Sequence, residues 1–179
     1  EKTADLIFGY LSNYIKFLRY LEGTEGEFSI KNWVNDENSK YRVIFLTNQA
    51  LVQETLKPIL TLFIDFTTKM LCSLDESLDR RIYFMLDEIH RLGTIESIIP
   101  LLTTGRSKGA ASIIFTQDFA QLSRLYGNDG SKSIFNACGN SITFSVSDES
   151  TAEVLSKMYG DREIERTEEN TSMGVVDFR

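Results

Sequence analysis

Ile82-Tyr83-Phe84-Met85-Leu86-Asp87-Glu88 is the stretch on which the fold turns. Five apolar or aromatic residues in a row, closed by two adjacent acids, read as a short strand buried on both faces. Strands of that kind belong to parallel sheets covered by helices, whose polar residues gather where the strands end. Tyr41 to Leu46, Ala111 to Phe115 and Ser141 to Val146 have the same character. Helical patterns lie between them. Ala50 to Leu74 reads as a long helix that Pro58 kinks or restarts, because proline removes a backbone donor. Ile95 to Thr104 reads as a helix stopping near Gly105, and Asp118 with Gln121 as the capped start of another that Gly127 closes. Ile134 to Ala137 reads as a helical turn and Ser150 to Tyr159 as the last helix. Four strands alternating with helices predict an α/β domain with a mostly parallel sheet and right-handed crossovers.

The rest of the chain fits one domain. Ile7, Leu11, Tyr14, Leu18 and Leu21 recur at three-to-four spacing, which predicts an amphipathic helix ended by Gly23 and Gly26. Phe28 to Val34 reads as a short helical turn with Ser29 as its cap. The net charge is −7, from 26 acidic and 19 basic residues, which argues against this segment gripping nucleic acid alone. The acidic run from Asp148 to Glu169 reads as a solvated face, and the chain beyond Gly160 as loosely ordered. Cys72 and Cys138 lack metal-site or redox spacing and read as small core residues in a reducing compartment. His90 is the only histidine, which leaves no basis for a metal site of that type. The most apolar segment, Ile59 to Leu74, is interrupted by Asp65 and Lys69, so no membrane span is expected in this sequence. With no initiator Met and no signal pattern, Glu1 reads as a boundary inside a longer protein.

Two carboxylates delivered to a sheet edge are costly unless something cationic or reactive meets them. In nucleotide-hydrolysing motors that arrangement is the Walker B element: the first acid, here Asp87, holds the hydration shell of Mg2+, and the second, Glu88, orients or deprotonates the attacking water. Its bland alternative is a pair of acids opening a loop. The next strand ends in Thr116-Gln117, so in neighbouring strands an amide stands beside the carboxylates and can bond a terminal phosphate or its water. Arg106, in Thr104-Gly105-Arg106-Ser107-Lys108-Gly109, sits at a helix end between glycines, where a guanidinium can reach a neighbouring subunit's phosphate charge as an arginine finger or simply favour the helix C-terminus. Lys108 and Lys132 are weaker versions of the same. If DNA is carried, Lys132 and Arg124 are the cations assigned to it.

The order of these motifs resembles the conjugative coupling proteins of type IV secretion systems, the TraD- and TraG-like ATPases. The resemblance rests on Tyr83 to Ile89, Leu101 to Gly109, Thr116 to Leu122, Leu125-Tyr126-Gly127 and Asn136 to Asn140, and covers about Phe28 to Ser172. It implies a RecA-like three-layer sheet and a division into residues 1–27, the end of an all-helical subdomain, and 28–179, the C-terminal part of the nucleotide-binding domain. It further implies ATP and Mg2+ as ligands, a hexameric ring at the cytoplasmic face of the bacterial inner membrane, and a DNA–relaxase or effector cargo passed to secretion-system components. On the matching positions, Asp87 corresponds to the magnesium carboxylate, Glu88 to the catalytic one, Arg106 to the finger, and Gln117 to the residue coupling phosphate state to motion.

The sequence contains no Gly-x-x-x-x-Gly-Lys-Ser/Thr, so the backbone cradle for phosphates is missing and this segment alone is expected to be inactive. The resemblance puts that loop upstream of the helical subdomain. Two other readings compete: a non-catalytic module that docks adaptors or substrates, and a related RecA-like DNA translocase or secretion ATPase.

Overall fold

A computed structural model of the chain describes residues 2–35, 42–47 and 49–160. Helix α1 spans Lys2–Tyr14 and passes into a 3-10 turn at Lys16–Tyr20. α2 is Ile30–Asn35, whose first turn is capped at 3.4 Å by Asn32 N–H donating to Ser29 Oγ. α3, Gln53–Cys72, follows a 3-10 turn at Ala50–Val52. The helix runs through Pro58 rather than starting at it: the bond lost is to the carbonyl four residues back, Glu54, in the first turn.

Strand β1 is Ile82–Leu86, followed by a 3-10 turn at Ile89–Leu92. The single helix expected over 95–104 is two short ones, α4 (Ile98–Leu102) and α5 (Thr104–Ser107), broken at Thr103 with φ −102° and ψ −80°. Pro100 lies in the first turn of α4, where its missing N–H has no partner to lose. β2 is Ala110–Ile114. α6 is Phe119–Ala137, interrupted at Gly127, whose φ of 70° and ψ of 171° end the first helical stretch before a second resumes. α7 is Glu149–Tyr159.

β1 and β2 pair in parallel, from Ile82 opposite Ala110 to Leu86 opposite Ile114. The connection between them carries α4 and α5, as a parallel pair requires. Of the four strands expected, only these two form among the described residues. Residues 42–47 and 141–147 are irregular, and Phe45, Ile142 and Phe144 are more than four-fifths exposed. Their apolar composition favours extended backbone, but a strand exists only through a ladder, and among the described residues β1 and β2 ladder only with each other.

The core joins Ile64 and Leu71 of α3 to Phe84 and Leu86 of β1, with Ile89, Ile95, Ile98, Leu101, Leu122 and Ile134 around them. Each such side chain removed from water contributes about 2 kcal/mol. β1 was expected to be buried on both faces; instead Phe84 and Leu86 are buried while Tyr83 and Met85 stay 68% and 66% exposed. Ile113, opposite Met85, is also exposed, so helices cover one face of the sheet and leave the other bare. α1 is likewise uncovered, with Leu6, Ile7, Phe8 and Leu11 all more than half exposed. The acidic tail beyond Gly160 lies outside the described residues.

Candidate nucleotide site

Parallel pairing in register fixes which residues leave the sheet together. Leu86 ends β1 opposite Ile114, and the ladder continues past the strand ends: Phe115 N–H donates to Leu86 O at 3.0 Å, and Ile89 N–H to Phe115 O at 3.2 Å. Asp87-Glu88 and Thr116-Gln117 therefore emerge at one edge. Gln117 Nε2 donates to Glu88 Oε1 at 2.7 Å, joining residues 29 positions apart.

Glu88 has φ 45° and ψ 56°, the only positive φ at a non-glycine among the described residues. Residues with a Cβ seldom adopt that conformation, and it persists where surrounding contacts enforce it. Here Arg91 supplies two. Its N–H donates to Glu88 O at 2.8 Å, and its guanidinium Nε pairs with Glu88 Oε2. The carboxylate thus has one oxygen on an amide and the other on a cation, with its side chain 26% exposed. Asp87, one residue earlier, is exposed.

The segment after the carboxylates is held from two sides. Thr61 Oγ1 of α3 donates to Leu92 O, and Asp65 accepts from Ser97 N–H at 2.8 Å and from Ser97 Oγ. From α6, Tyr126 OH accepts from Ile95 N–H at 3.1 Å, and burial pushes that phenol upward in pKa. Burial raises the Asp65 carboxyl as well, but the Ser97 bonds and Lys69 outweigh it and hold it below its ordinary value. On the other side of the site, Asp118 caps α6 by accepting from Gln121 N–H at 2.6 Å, which fixes where the chain turns after Gln117. Burial raises both the Cys72 and Cys138 thiols; both are half-buried and neither is bridged. No group of three or more His, Cys, Asp or Glu side chains among the described residues is arranged to hold a metal. A cation held through its water shell by one carboxylate, as expected for Asp87, needs no such group.

Arg106 stands elsewhere. α5 precedes β2, whereas Gln117 follows it, so the guanidinium lies at the opposite end of strands about 17 Å long. It lines an open hollow of about 520 Å3 with Ser77, Arg81, Thr103 and Ala110. Within one chain the structure brings Asp87, Glu88 and Gln117 together and leaves Arg106 apart. Arg124 and Lys132 both line a second open hollow of about 560 Å3 between α6 and Val154 of α7. Arg91 was missed in the sequence, although its i,i+3 spacing from Glu88 was a legible signal for a helical turn.

The sequence matches, over residues 1–179, the family described as the type IV secretion-system coupling protein DNA-binding domain. The chain belongs to this coupling protein family. It is 30% identical to the coupling protein TraD of Escherichia coli K12 across its whole length, which is 26% of TraD. It is 26% identical to the type IV secretion system-coupling protein VirD4 of Bartonella quintana over 74% of the chain and 21% of that relative. Among solved structures it resembles the bacterial conjugative coupling protein TrwBΔN70, with a TM-score of 0.58, 27% identity, and coverage of 63% of this chain and 26% of that one. TrwB has also been solved with ADP and Mg2+, and that form matches equally well. The chain thus spans about a quarter of the length of the coupling proteins TraD and TrwB, and its α/β sheet is part of their RecA-like fold. Among the described residues no helix is long and apolar enough to cross a membrane.

Proposed function

We propose that this chain carries the hydrolytic half of an ATP site in a coupling protein that drives DNA–protein or protein cargo into a type IV secretion channel. The observation that carries the reading is the Gln117–Glu88 bond at 2.7 Å, which places an amide and the second acid of an Asp-Glu pair at one sheet edge. In this reading Asp87 holds Mg2+ through water, Glu88 orients the attacking water, and Gln117 reports the phosphate state to α6 through the Asp118 cap. Mg2+ when bound neutralises phosphate charge. The phosphate cradle must come from residues other than these, since the sequence has no such loop.

Arg106 is assigned to the site of an adjacent subunit in a ring, a role supported by its exposure and its distance from Glu88 in the same chain. The shared hollow supports Arg124 and Lys132 as contacts to a nucleic-acid backbone. Residues 1–27 are assigned to the end of a helical subdomain, supported by the mostly exposed helix and 3-10 turn found there. The inner membrane is reached through segments other than the described ones.

The test is Glu88→Gln in the full-length protein, with ATP hydrolysis, ATP binding and cargo transfer measured together. Hydrolysis is expected to fall by at least about a hundredfold with binding retained and transfer lost, and the isolated 179-residue chain is expected to show no turnover. Unchanged hydrolysis and transfer would instead favour a docking module, to which the net charge of −7 is suited.

A further inference from the structure

We infer that Arg91 is a positioning residue for the Glu88 carboxylate, fixing the plane in which it meets the hydrolytic water; this rests on the reading of Glu88 as the water-orienting acid. Glu88 is held at both ends by the same neighbour. The Arg91 N–H donates to the Glu88 carbonyl at 2.8 Å and the Arg91 guanidinium pairs with Oε2, while Gln117 occupies Oε1 at 2.7 Å. A carboxylate oxygen has two lone-pair sites, so each still has one free for water. Two anchors on opposite oxygens prevent rotation about the terminal bond, which one anchor permits.

The two anchors differ in kind. Gln117 is exposed and lies on the connection that leads into α6, so it moves with whatever moves that helix. Arg91 belongs to the Ile89–Leu92 turn, which is tied to the sheet by Ile89 N–H on Phe115 O and to α3 by Thr61 on Leu92 O. Ile89 is fully buried within the same turn. Arg91 is therefore the fixed anchor and Gln117 the movable one. With Arg91 in place, the carboxylate stays tethered through Oε2 when the amide leaves Oε1, and its orientation is fully set when both anchors are on it. An arginine suits this role better than a lysine, because Nε and its planar fork have a set direction, whereas an ammonium on a flexible stem has none.

The experiment uses the full-length protein and steady-state ATP hydrolysis, measured with radiolabelled ATP so that very slow variants are still read. Arg91→Ala is expected to lower kcat by about ten- to a hundredfold, the scale of a misplaced catalytic group, with KM for ATP within about twofold of native. Arg91→Lys should recover part of the loss. The double variant Glu88→Gln with Arg91→Ala should be no slower than Glu88→Gln alone, because a positioning residue has nothing left to position. Arg91 is 54% exposed, so folding should survive, and Arg91→Gln gives the same comparison if the alanine variant is unstable. A kcat within twofold of native in Arg91→Ala, or an Arg91 loss that persists in full on top of Glu88→Gln, overturns the inference. If Glu88→Gln itself leaves hydrolysis intact, the proposed function falls first and the inference with it.

Discussion

Asp65→Ala removes the contact that holds the start of α4 against α3. Ser97 N–H and Oγ both donate to Asp65 Oδ1, the former at 2.8 Å, and Lys69 Nζ reaches the other oxygen at 3.2 Å. A hydrogen bond to a charged group contributes about 1.5–3 kcal/mol, and an ion pair with an exposed lysine only about 0.4 kcal/mol. Taking a carboxylate out of solvent when it is 14% exposed offsets part of that gain. Truncation leaves the N–H of Ser97, a residue 4% exposed, with no acceptor. The net loss is then about 2 kcal/mol, or about a thirtyfold rise in local opening. Asp65→Asn keeps an oxygen acceptor and should cost about half as much.

Hydrogen exchange of the amides in 95–102, followed by mass spectrometry on the full-length protein, reads this opening directly. The dependence on pH has a definite sign. Asp65 is held below the ordinary carboxylate value, so its contribution is complete above that value and disappears as pH falls through the lower, folded one. Native and Asp65→Ala proteins should differ fully at pH 7 and converge in strong acid. Exchange within twofold of native at neutral pH, or a difference that grows in acid, would refute the account of the Asp65–Ser97 contact.

Three further substitutions probe the backbone and the core. Gly109 has φ 98°, and a Cβ there would lie 2.4 Å from the Arg80 carbonyl oxygen, so Gly109→Ala should destabilise by at least about 3 kcal/mol and expose β2 to exchange. Gly127 has φ 70° and ψ 171° but no described residue within 4 Å of a Cβ there, so Gly127→Ala should cost about 1–3 kcal/mol from backbone strain alone, less than Gly109→Ala; equal effects at the two glycines would contradict this. Thr68 is fully buried and its hydroxyl has no hydrogen-bond partner among the described residues, so Thr68→Val should stabilise α3 by about 1 kcal/mol, seen as slower exchange of its amides. Faster exchange would mean the hydroxyl is satisfied.

The sheet edge was legible in the sequence because strand ends are marked locally. An apolar run stops at Asp87, another stops near Thr116, and parallel pairing does the rest. The strand count was not legible, since Phe45 and Phe144 have strand-like neighbours but composition cannot say whether a second strand is there to bond. Gly127 correctly marked the end of a helical stretch, yet helix resumes beyond it because glycine sets one residue's dihedrals and not those of its successors. Asp65 and Ser97 lie 32 residues apart, with no pattern linking them before folding. Arg91 was obscured for a different reason: the Asp-Glu pair was read as the end of a strand, and helical i,i+3 geometry begins one residue later.

The bare side of the two-stranded sheet bears on how this chain behaves when handled by itself. Tyr83, Met85 and Ile113 form an oily strip beside two ladder edges that no described residue pairs, which is what edge-to-edge aggregation needs. A purified segment that left this strip in water would tend to find its own copies there, and turbidity or soluble oligomers in such a preparation would report on that strip, not on ring assembly.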